Sequence, residues 1–259
     1  MIDKLLLLFQ YVRRTEVWRS IFRRDHLPRT TAERISVISR NFFVHLWWVG
    51  ARESKRALAF SYTWYMGAIS LWLYFVTLLT GIFLMFYYIP SVERAYNSIL
   101  EISNVVTLGR FTRNLHRWSA NLMVVTVTIH MIRVFFTGSY QKPRQFNWVL
   151  GVLLFVFTYV MGFTGYLLPW DQLAYWAASI ASNIAGATPF FGDQAKFALF
   201  GGTELGQPSL IRFYVTHVIL FPAVMLLFIF LHIWRVRADG LSKPLRKEQK
   251  RESVGTRRS

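Results

Sequence analysis

Long apolar stretches alternate with short polar segments and predict four membrane-spanning helices. The stretches cover residues about 62–88, 114–136, 147–168 and 211–237. Each is long enough to cross a hydrocarbon core about 30 Å thick, because a helix rises about 1.5 Å per residue. The pattern predicts an all-α membrane protein whose centre, residues 61–238, is a four-helix transmembrane domain.

The two ends of the chain are polar and basic. Residues 1–60 hold twelve Lys and Arg against five Asp and Glu, with apolar runs too short to span, and residues 239–259 form a basic tail. The first region is typical of amphipathic helices that lie at a membrane interface. A cleaved secretory signal is the alternative, which the very short opening apolar run disfavours.

Charges outside the spans predict the orientation. Lys142 and Arg144 lie in the second connection, whereas the first and third connections carry few basic residues. Because cytoplasmic loops are enriched in Lys and Arg, we expect both termini on the cytoplasmic side. We expect a bacterial inner membrane rather than a thylakoid. The net charge of +17 lies mostly outside the spans and suits membrane lipid better than nucleic acid.

Four histidines lie inside the apolar stretches in two pairs. His116 and His130 are fourteen residues apart in the second stretch, and His217 and His232 are fifteen apart in the fourth. Each pair stays near one helix face, and ionisable groups at membrane depth are usually functional. The second and fourth spans run in the same direction. Pairing across these two spans joins His116 with His217 and His130 with His232. The two pairs are then about 21 Å apart along the helix axis.

Paired histidines on facing helices predict two haem sites. A haem iron with imidazole at both axial positions has no vacant site for oxygen, so its expected role is electron transfer. The chain has no cysteine, which excludes thioether-linked haem and iron–sulfur clusters on it. A single histidine could instead bond to a neighbouring helix, but four at matching depths favour two non-covalent b haems.

Glycines repeat with the period of the histidines. Gly67 and Gly81 in the first span, and Gly151 and Gly165 in the third, are each fourteen residues apart. Glycine lets a flat ring approach the backbone closely, so these positions predict slots for the macrocycle. Ordinary packing of small residues between helices is the alternative.

Two arginines flank the second-span histidines. Arg113 precedes His116 by three residues, and Arg133 follows His130 by three. Guanidinium groups at these places predict pairing with haem propionates, and snorkelling to the interface is the alternative.

Several local motifs together resemble one family. They are Gly81 with Phe86-Tyr87-Tyr88-Ile89-Pro90, the run from Arg113 to Ala120, His130 with Arg133, Lys142-Pro143-Arg144, the run from Thr164 to Gln172, and Arg212-Phe213-Tyr214 before His217, Pro222 and His232. Over residues 60–245 the chain resembles the cytochrome b family, and specifically the shorter b6 type. The fifteen-residue histidine spacing of the fourth span also resembles the b6 type.

This resemblance implies a dihaem four-helix cytochrome b in a quinol-oxidising Rieske/cytochrome b complex. The low-potential haem (bL) would lie on His116 and His217 near the positive side, and the high-potential haem (bH) on His130 and His232. Quinol oxidation at the positive side would send one electron to a Rieske iron–sulfur protein. The other would pass through both haems to quinone on the negative side, contributing to proton motive force.

The resemblance also implies two quinone regions. The positive-side pocket would be lined by Tyr166, Trp170, Trp176, Ala177 and Ala178. The negative-side region would lie near Arg235 and Arg237.

Two departures from the b6 type matter. Tyr65 stands where the oxygenic b6 type has the cysteine that holds a third haem, so no covalent haem is expected. The chain has no Pro-Glu-Trp-Tyr motif, so we expect a separate subunit to carry the C-terminal cytochrome b helices and this chain to be inactive alone. Other expected partners are the Rieske protein, a cytochrome c-type or similar acceptor, and a second copy in a homodimeric complex.

Two other functions fit parts of the pattern. A dihaem membrane anchor of a hydrogenase or formate dehydrogenase also has spans with histidine pairs, but the Leu-Leu-Pro-Trp segment argues against it. A haem-free transporter could use the histidines to relay protons, but glycines at the histidine period argue against that.

Overall fold

A computed structural model of the chain describes residues 10–12, 15, 65–202 and 204–239. From residue 65 onward these residues form helices and short turns, with no strand in the described ranges. The predicted all-α fold is therefore confirmed. Most of the predicted basic region 1–60 and all of 240–259 lie outside the described residues.

Eight α-helices follow one another in the described part from residue 65. They are α1 Met66–Met85, α2 Ala95–Asn104, α3 Gly109–Phe136, α4 Gln145–Leu167, α5 Gln172–Gly186, α6 Gly192–Phe200, α7 Gln207–Val215 and α8 Phe221–Asp239. A π-helical turn, Thr216–Leu220, joins α7 to α8. Helices α1, α3 and α4 and the continuous segment Gln207–Asp239 are long and apolar enough to cross a membrane.

These four spans agree with the predicted stretches to within five residues at each described end. Large apolar side chains remain exposed along them, including Trp72 at 70% and Leu79 at 68% exposure. Exposed apolar side chains on such helices suit a hydrocarbon solvent, in which the helix satisfies its own backbone hydrogen bonds.

Three shorter helices occupy the connections, to which the sequence analysis assigned no elements. Helix α5 buries Ala174, Ala178 and Ser182, which are spaced by four residues and share one face. Asp171 begins this helix, because its side chain accepts a hydrogen bond from the Ala174 backbone N–H at 2.8 Å. The buried face consists of small residues, so the apolar periodicity that marks a helix is weak in the sequence.

The π-helical turn has a local cause. The N–H of Phe221 donates to the carbonyl of Thr216, five residues earlier. Pro222 has no backbone N–H, so the carbonyl of Val218 has no α-helical donor there. Such a turn takes one residue more than an α-helical turn. The fifteen-residue spacing of the histidines in this span therefore includes one inserted residue.

Contacts divide the chain into two compact units. One unit comprises Gly67–Thr128 and Leu154–Phe228 and contains His116 and His217. In its described part, the other comprises residues 10–12, 15, 65–66, 129–153 and 229–239, with His130 and His232. Each predicted histidine pair therefore lies within a single unit.

Candidate haem-binding sites

The rings of His116 and His217 face each other. Their centroids are 6.3 Å apart and their planes are inclined by 70°. A metal held about 2.0 Å from one nitrogen of each of two imidazoles places the ring centres about 6 Å apart. The structure thus brings the first predicted pair together at a separation that suits one iron between the rings.

Each of these histidines meets a threonine hydroxyl. The Oγ1 of Thr80 lies 2.9 Å from Nδ1 of His116, and the Oγ1 of Thr164 lies 3.2 Å from Nδ1 of His217. Both hydroxyls also donate to a carbonyl four residues earlier on their own helix, at 2.6 Å and 3.0 Å. With its single hydrogen on the helix carbonyl, each hydroxyl can accept a hydrogen bond from Nδ1–H, and that tautomer leaves the lone pair of the imidazole on Nε2.

Two of the predicted glycines lie against these same rings. A Cβ built on Gly81 would be 3.2 Å from Cε1 of His116, and one built on Gly165 would be 2.5 Å from Cε1 of His217. The sequence analysis predicted room for a macrocycle at these positions. The structure gives a direct reason for glycine, because the imidazole ring occupies the space that a side chain would need.

The second pair lines a partly open cavity of about 90 Å³. Four predicted site residues contribute to it, namely His130, His232, Gly151 and Arg133. The other lining residues are Met131, Val134, Ser139, Arg144, Asn147, Trp148 and Val236. Two histidines with two arginines fit an iron porphyrin that carries acidic propionates.

His232 has surroundings different from those of His116 and His217. Its Nδ1 is buried without a hydrogen-bond partner in the described part of the chain, although the backbone of Asn147 faces the ring. A Cβ on Gly151 would lie 3.4 Å from Cε1 of His232, which is an ordinary van der Waals contact. The ring therefore lies beside the predicted glycine, but with more space than at Gly165.

The remaining predicted glycine and the arginine of the first pair lie elsewhere on α1 and α3. Gly67 is exposed near the start of α1. Arg113 is half-buried and donates from Nη1 to Oγ of Ser103 at 3.3 Å.

The two arginines of the predicted negative-side quinone region differ. Arg235 is only 4% exposed and pairs with Asp239 at 3.0 Å. Its guanidinium also lies over the rings of Phe146 and Trp234, at 5.6 and 5.5 Å from their centroids. Arg237 is exposed. The two arginines therefore differ in burial, since the Arg235 side chain is buried and paired whereas Arg237 is exposed.

The residues predicted to line the quinol pocket also divide by exposure. Tyr166 is 52% and Trp176 60% exposed, whereas Trp170 and Ala177 are partly buried. Ala178 is fully buried in a cluster that includes Leu167. The structure therefore offers Tyr166 and Trp176 to a ligand and does not bring Ala178 to the surface.

The hydroxyl of Tyr88 had no predicted role. It holds the backbone at Leu168, within the stretch that contains the predicted quinol-pocket residues. It donates to the carbonyl of Leu168 at 2.6 Å, and its ring stacks on that of Tyr214 at 5.6 Å. Burial, with a smaller effect from Tyr214, raises the pKa of Tyr88 above its ordinary value. The phenol therefore stays protonated and keeps donating this hydrogen bond.

Residues 53–240 match the family described as "Cytochrome b/b6/petB". The chain belongs to the cytochrome b family. Among its relatives, "Cytochrome b6" of Heliomicrobium gestii is 42% identical over 180 residues, which cover 70% of this chain and 84% of the relative. "Cytochrome b6" of Crocosphaera subtropica is 43% identical over 180 residues, covering 70% of this chain and 81% of the relative.

A solved structure is also similar to this cytochrome b. It is described as "Hyperthermophilic respiratory Complex III", and it aligns with a TM-score of 0.66 and 28% sequence identity. The match covers 70% of this chain and 49% of the solved chain, so this chain spans about half the length of that relative.

Membership in the cytochrome b family confirms the b6-type resemblance and the predicted fold class. It makes the chain an integral membrane protein that binds b-type haem and transfers electrons. The match also disfavours a haem-free transporter and a hydrogenase or formate dehydrogenase anchor.

The glycine contacts predict a graded loss of haem on substitution by alanine. G165A should lower the haem bound per chain most, because its Cβ would displace the His217 ring, and G81A should lower it less. G151A should have the smallest effect of the three, because its Cβ would make an ordinary contact. Haem extracted from the purified variants with acid acetone measures the loss.

Gly162 supplies the matched control on the helix that carries Gly165. A Cβ there would meet nothing within 4 Å, so G162A should retain the haem of the unsubstituted protein. Equal haem content in G165A and G162A would contradict the steric argument.

Proposed function

We propose that this chain carries two non-covalent b haems and is the transmembrane electron-transfer subunit of a Rieske/cytochrome b complex. One haem would be held by His116 and His217 and the other by His130 and His232. The observation that carries the proposal is the facing of the His116 and His217 rings at 6.3 Å, each with its Nδ1 on a hydroxyl.

The chain's own groups have separable tasks. The Nε2 atoms of the four histidines would hold the two irons, and the threonine hydroxyls fix the imidazole orientation at the first site. Arg133 and Arg144 would balance propionate charge in the cavity of His130 and His232. A haem with two imidazole ligands supplies reversible one-electron transfer without an open coordination site. The apolar spans keep water from the path.

The direction of transfer follows from the family resemblance and the loop charges. Electrons from quinol oxidised at the positive side would pass through haem bL and then haem bH to quinone on the negative side. The charge pattern supports cytoplasmic termini in a bacterial inner membrane. The description of the solved relative as a respiratory complex supports a contribution to proton motive force.

The quinone regions are proposed from exposure together with the resemblance. Tyr166 and Trp176 are the exposed members of the positive-side set, whereas Trp170 and Ala177 are partly buried. On the negative side, Arg237 is proposed to face the quinone region because its side chain is exposed. Arg235 is buried and pairs with Asp239.

Partners are needed for the complete reaction. The resemblance to the b6 type favours a separate subunit with the C-terminal cytochrome b helices. A Rieske protein would take the first electron from quinol and pass it to a cytochrome c-type or similar acceptor. The whole assembly is proposed to be a homodimer in membrane lipid.

The histidine pairing predicts the outcome of removing one ligand from each site. H217L should lose one haem and retain a spectroscopically distinct one on His130 and His232, and H232L should give the reciprocal result. The measurement is haem per chain together with the dithionite-reduced absorbance spectrum. An unchanged haem count in H217L would refute the pairing, and a colourless unsubstituted protein would refute the redox function.

Covalent attachment provides a separate prediction. All haem should dissociate from this chain in denaturing gels stained for haem peroxidase activity, because Tyr65 replaces the cysteine of the oxygenic b6 type. A covalently haem-bearing cytochrome c run on the same gel controls for staining. A stained band at the mass of this chain would overturn the non-covalent assignment.

Purification of the native complex tests the proposed partners. Gentle detergent extraction should recover this chain with a Rieske protein and a short subunit that carries the Pro-Glu-Trp-Tyr motif. Mass spectrometry of the subunits and quinol oxidation by the intact complex are the measurements. Recovery with hydrogenase or formate dehydrogenase subunits instead would establish the alternative function.

A further inference from the structure

Threonine precedes glycine at two equivalent places in α1 and α4. The dipeptides are Thr80-Gly81 and Thr164-Gly165. In each, the glycine lies against a histidine ring while the threonine hydroxyl reaches the Nδ1 of that ring. Each Thr-Gly dipeptide thus supplies both the space and the hydrogen bond that orient one imidazole.

The other two glycines of the fourteen-residue period lack this threonine. Met66 precedes Gly67, and Leu150 precedes Gly151. At Gly151 the difference is visible in contacts, because no hydroxyl of the described residues bonds to the Nδ1 of His232, which faces only the backbone of Asn147. The first histidine pair therefore has two hydroxyl acceptors, while His232 of the second pair has none.

A hydrogen bond from Nδ1–H to an acceptor makes an imidazole a more basic ligand. A more basic axial ligand stabilises ferric iron more than ferrous iron, so it lowers the potential at which the iron takes up one electron. Both hydroxyls lie within hydrogen-bond distance of a helix carbonyl, and with their hydrogens directed there the oxygens are acceptors for Nδ1–H. The backbone carbonyls of Thr77 and Met161 also face these rings and are the competing acceptors.

We propose that Thr80 and Thr164 are positioning residues that orient His116 and His217 and lower the reduction potential of the haem between them. The inference rests on the proposed function, because it requires a haem at this pair. It assigns a lowering of the potential at the His116–His217 site to two hydroxyl groups, on α1 and α4.

The test is a redox titration of the reduced b-type absorbance in the purified, haem-loaded complex. T80V and T164V should each raise the midpoint potential of one haem by a shift equivalent to roughly fivefold in the ferric–ferrous equilibrium, the scale of one hydrogen bond. The double variant should shift it further. The potential of the other haem should stay unchanged, and haem content should stay at the level of the unsubstituted protein.

Three further variants separate a hydrogen-bond effect from a packing effect. T80S and T164S keep the hydroxyl and should restore the original potential. T158V is the matched control on α4, because the buried Thr158 donates to the Leu154 carbonyl at 2.8 Å and its hydroxyl bonds to no histidine. It should leave both potentials unchanged.

The possible outcomes decide between distinct ideas. Unchanged potentials in T80V and T164V with full haem content would overturn this inference and leave the proposed function standing, since the backbone carbonyls would then be the effective acceptors. An equal shift of both haems, or no recovery in the serine variants, would also overturn it. An unsubstituted protein without haem would refute the proposed function and this inference together.

Discussion

The free-energy cost of placing an imidazole in an apolar membrane helix determines which residues surround the histidines. The ring needs space beside it, and its polar nitrogens need partners that lipid does not supply. At His116 and His217, glycine provides the space and a threonine hydroxyl lies within hydrogen-bond distance of Nδ1. The remaining nitrogen, Nε2, then carries the lone pair that a metal requires. The arrangement that gives each histidine a hydrogen-bond partner at Nδ1 therefore also leaves Nε2 available to bind iron.

Helix geometry adjusts to this constraint in the fourth span. His217 lies in the π-helical turn Thr216–Leu220, and Pro222 removes the backbone donor that would close an ordinary α-helical turn. The hydroxyl of Tyr74 donates to the carbonyl of Pro222 at 2.8 Å and holds α1 against the turn. The extra residue accounts for fifteen residues between His217 and His232 where the second span has fourteen between its histidines.

The spans, the histidine pairs and the glycine period were predictable because they follow from hydropathy and from spacing along single helices. Helices α2 and α5 were not predicted, because their buried faces consist largely of small or hydroxylated residues such as Ala95, Ser98, Ala174 and Ser182. The threonine hydroxyls were visible in the sequence as Thr-Gly dipeptides. Their role depends on contacts between helices, because Thr80 and His116 are 36 residues apart in the chain and Thr164 and His217 are 53 residues apart.

By itself, the sequence determined the membrane class, the number of spans, the candidate ligands and the cytochrome b family, because each depends on composition, period or local motif. Only the tertiary structure decided which hydroxyl meets which ring, and how little room Gly165 leaves for a side chain. It also decided that Arg235 is bound to Asp239 while Arg237 is exposed. These outcomes depend on distances of a few ångströms between side chains, which helical periodicity does not specify.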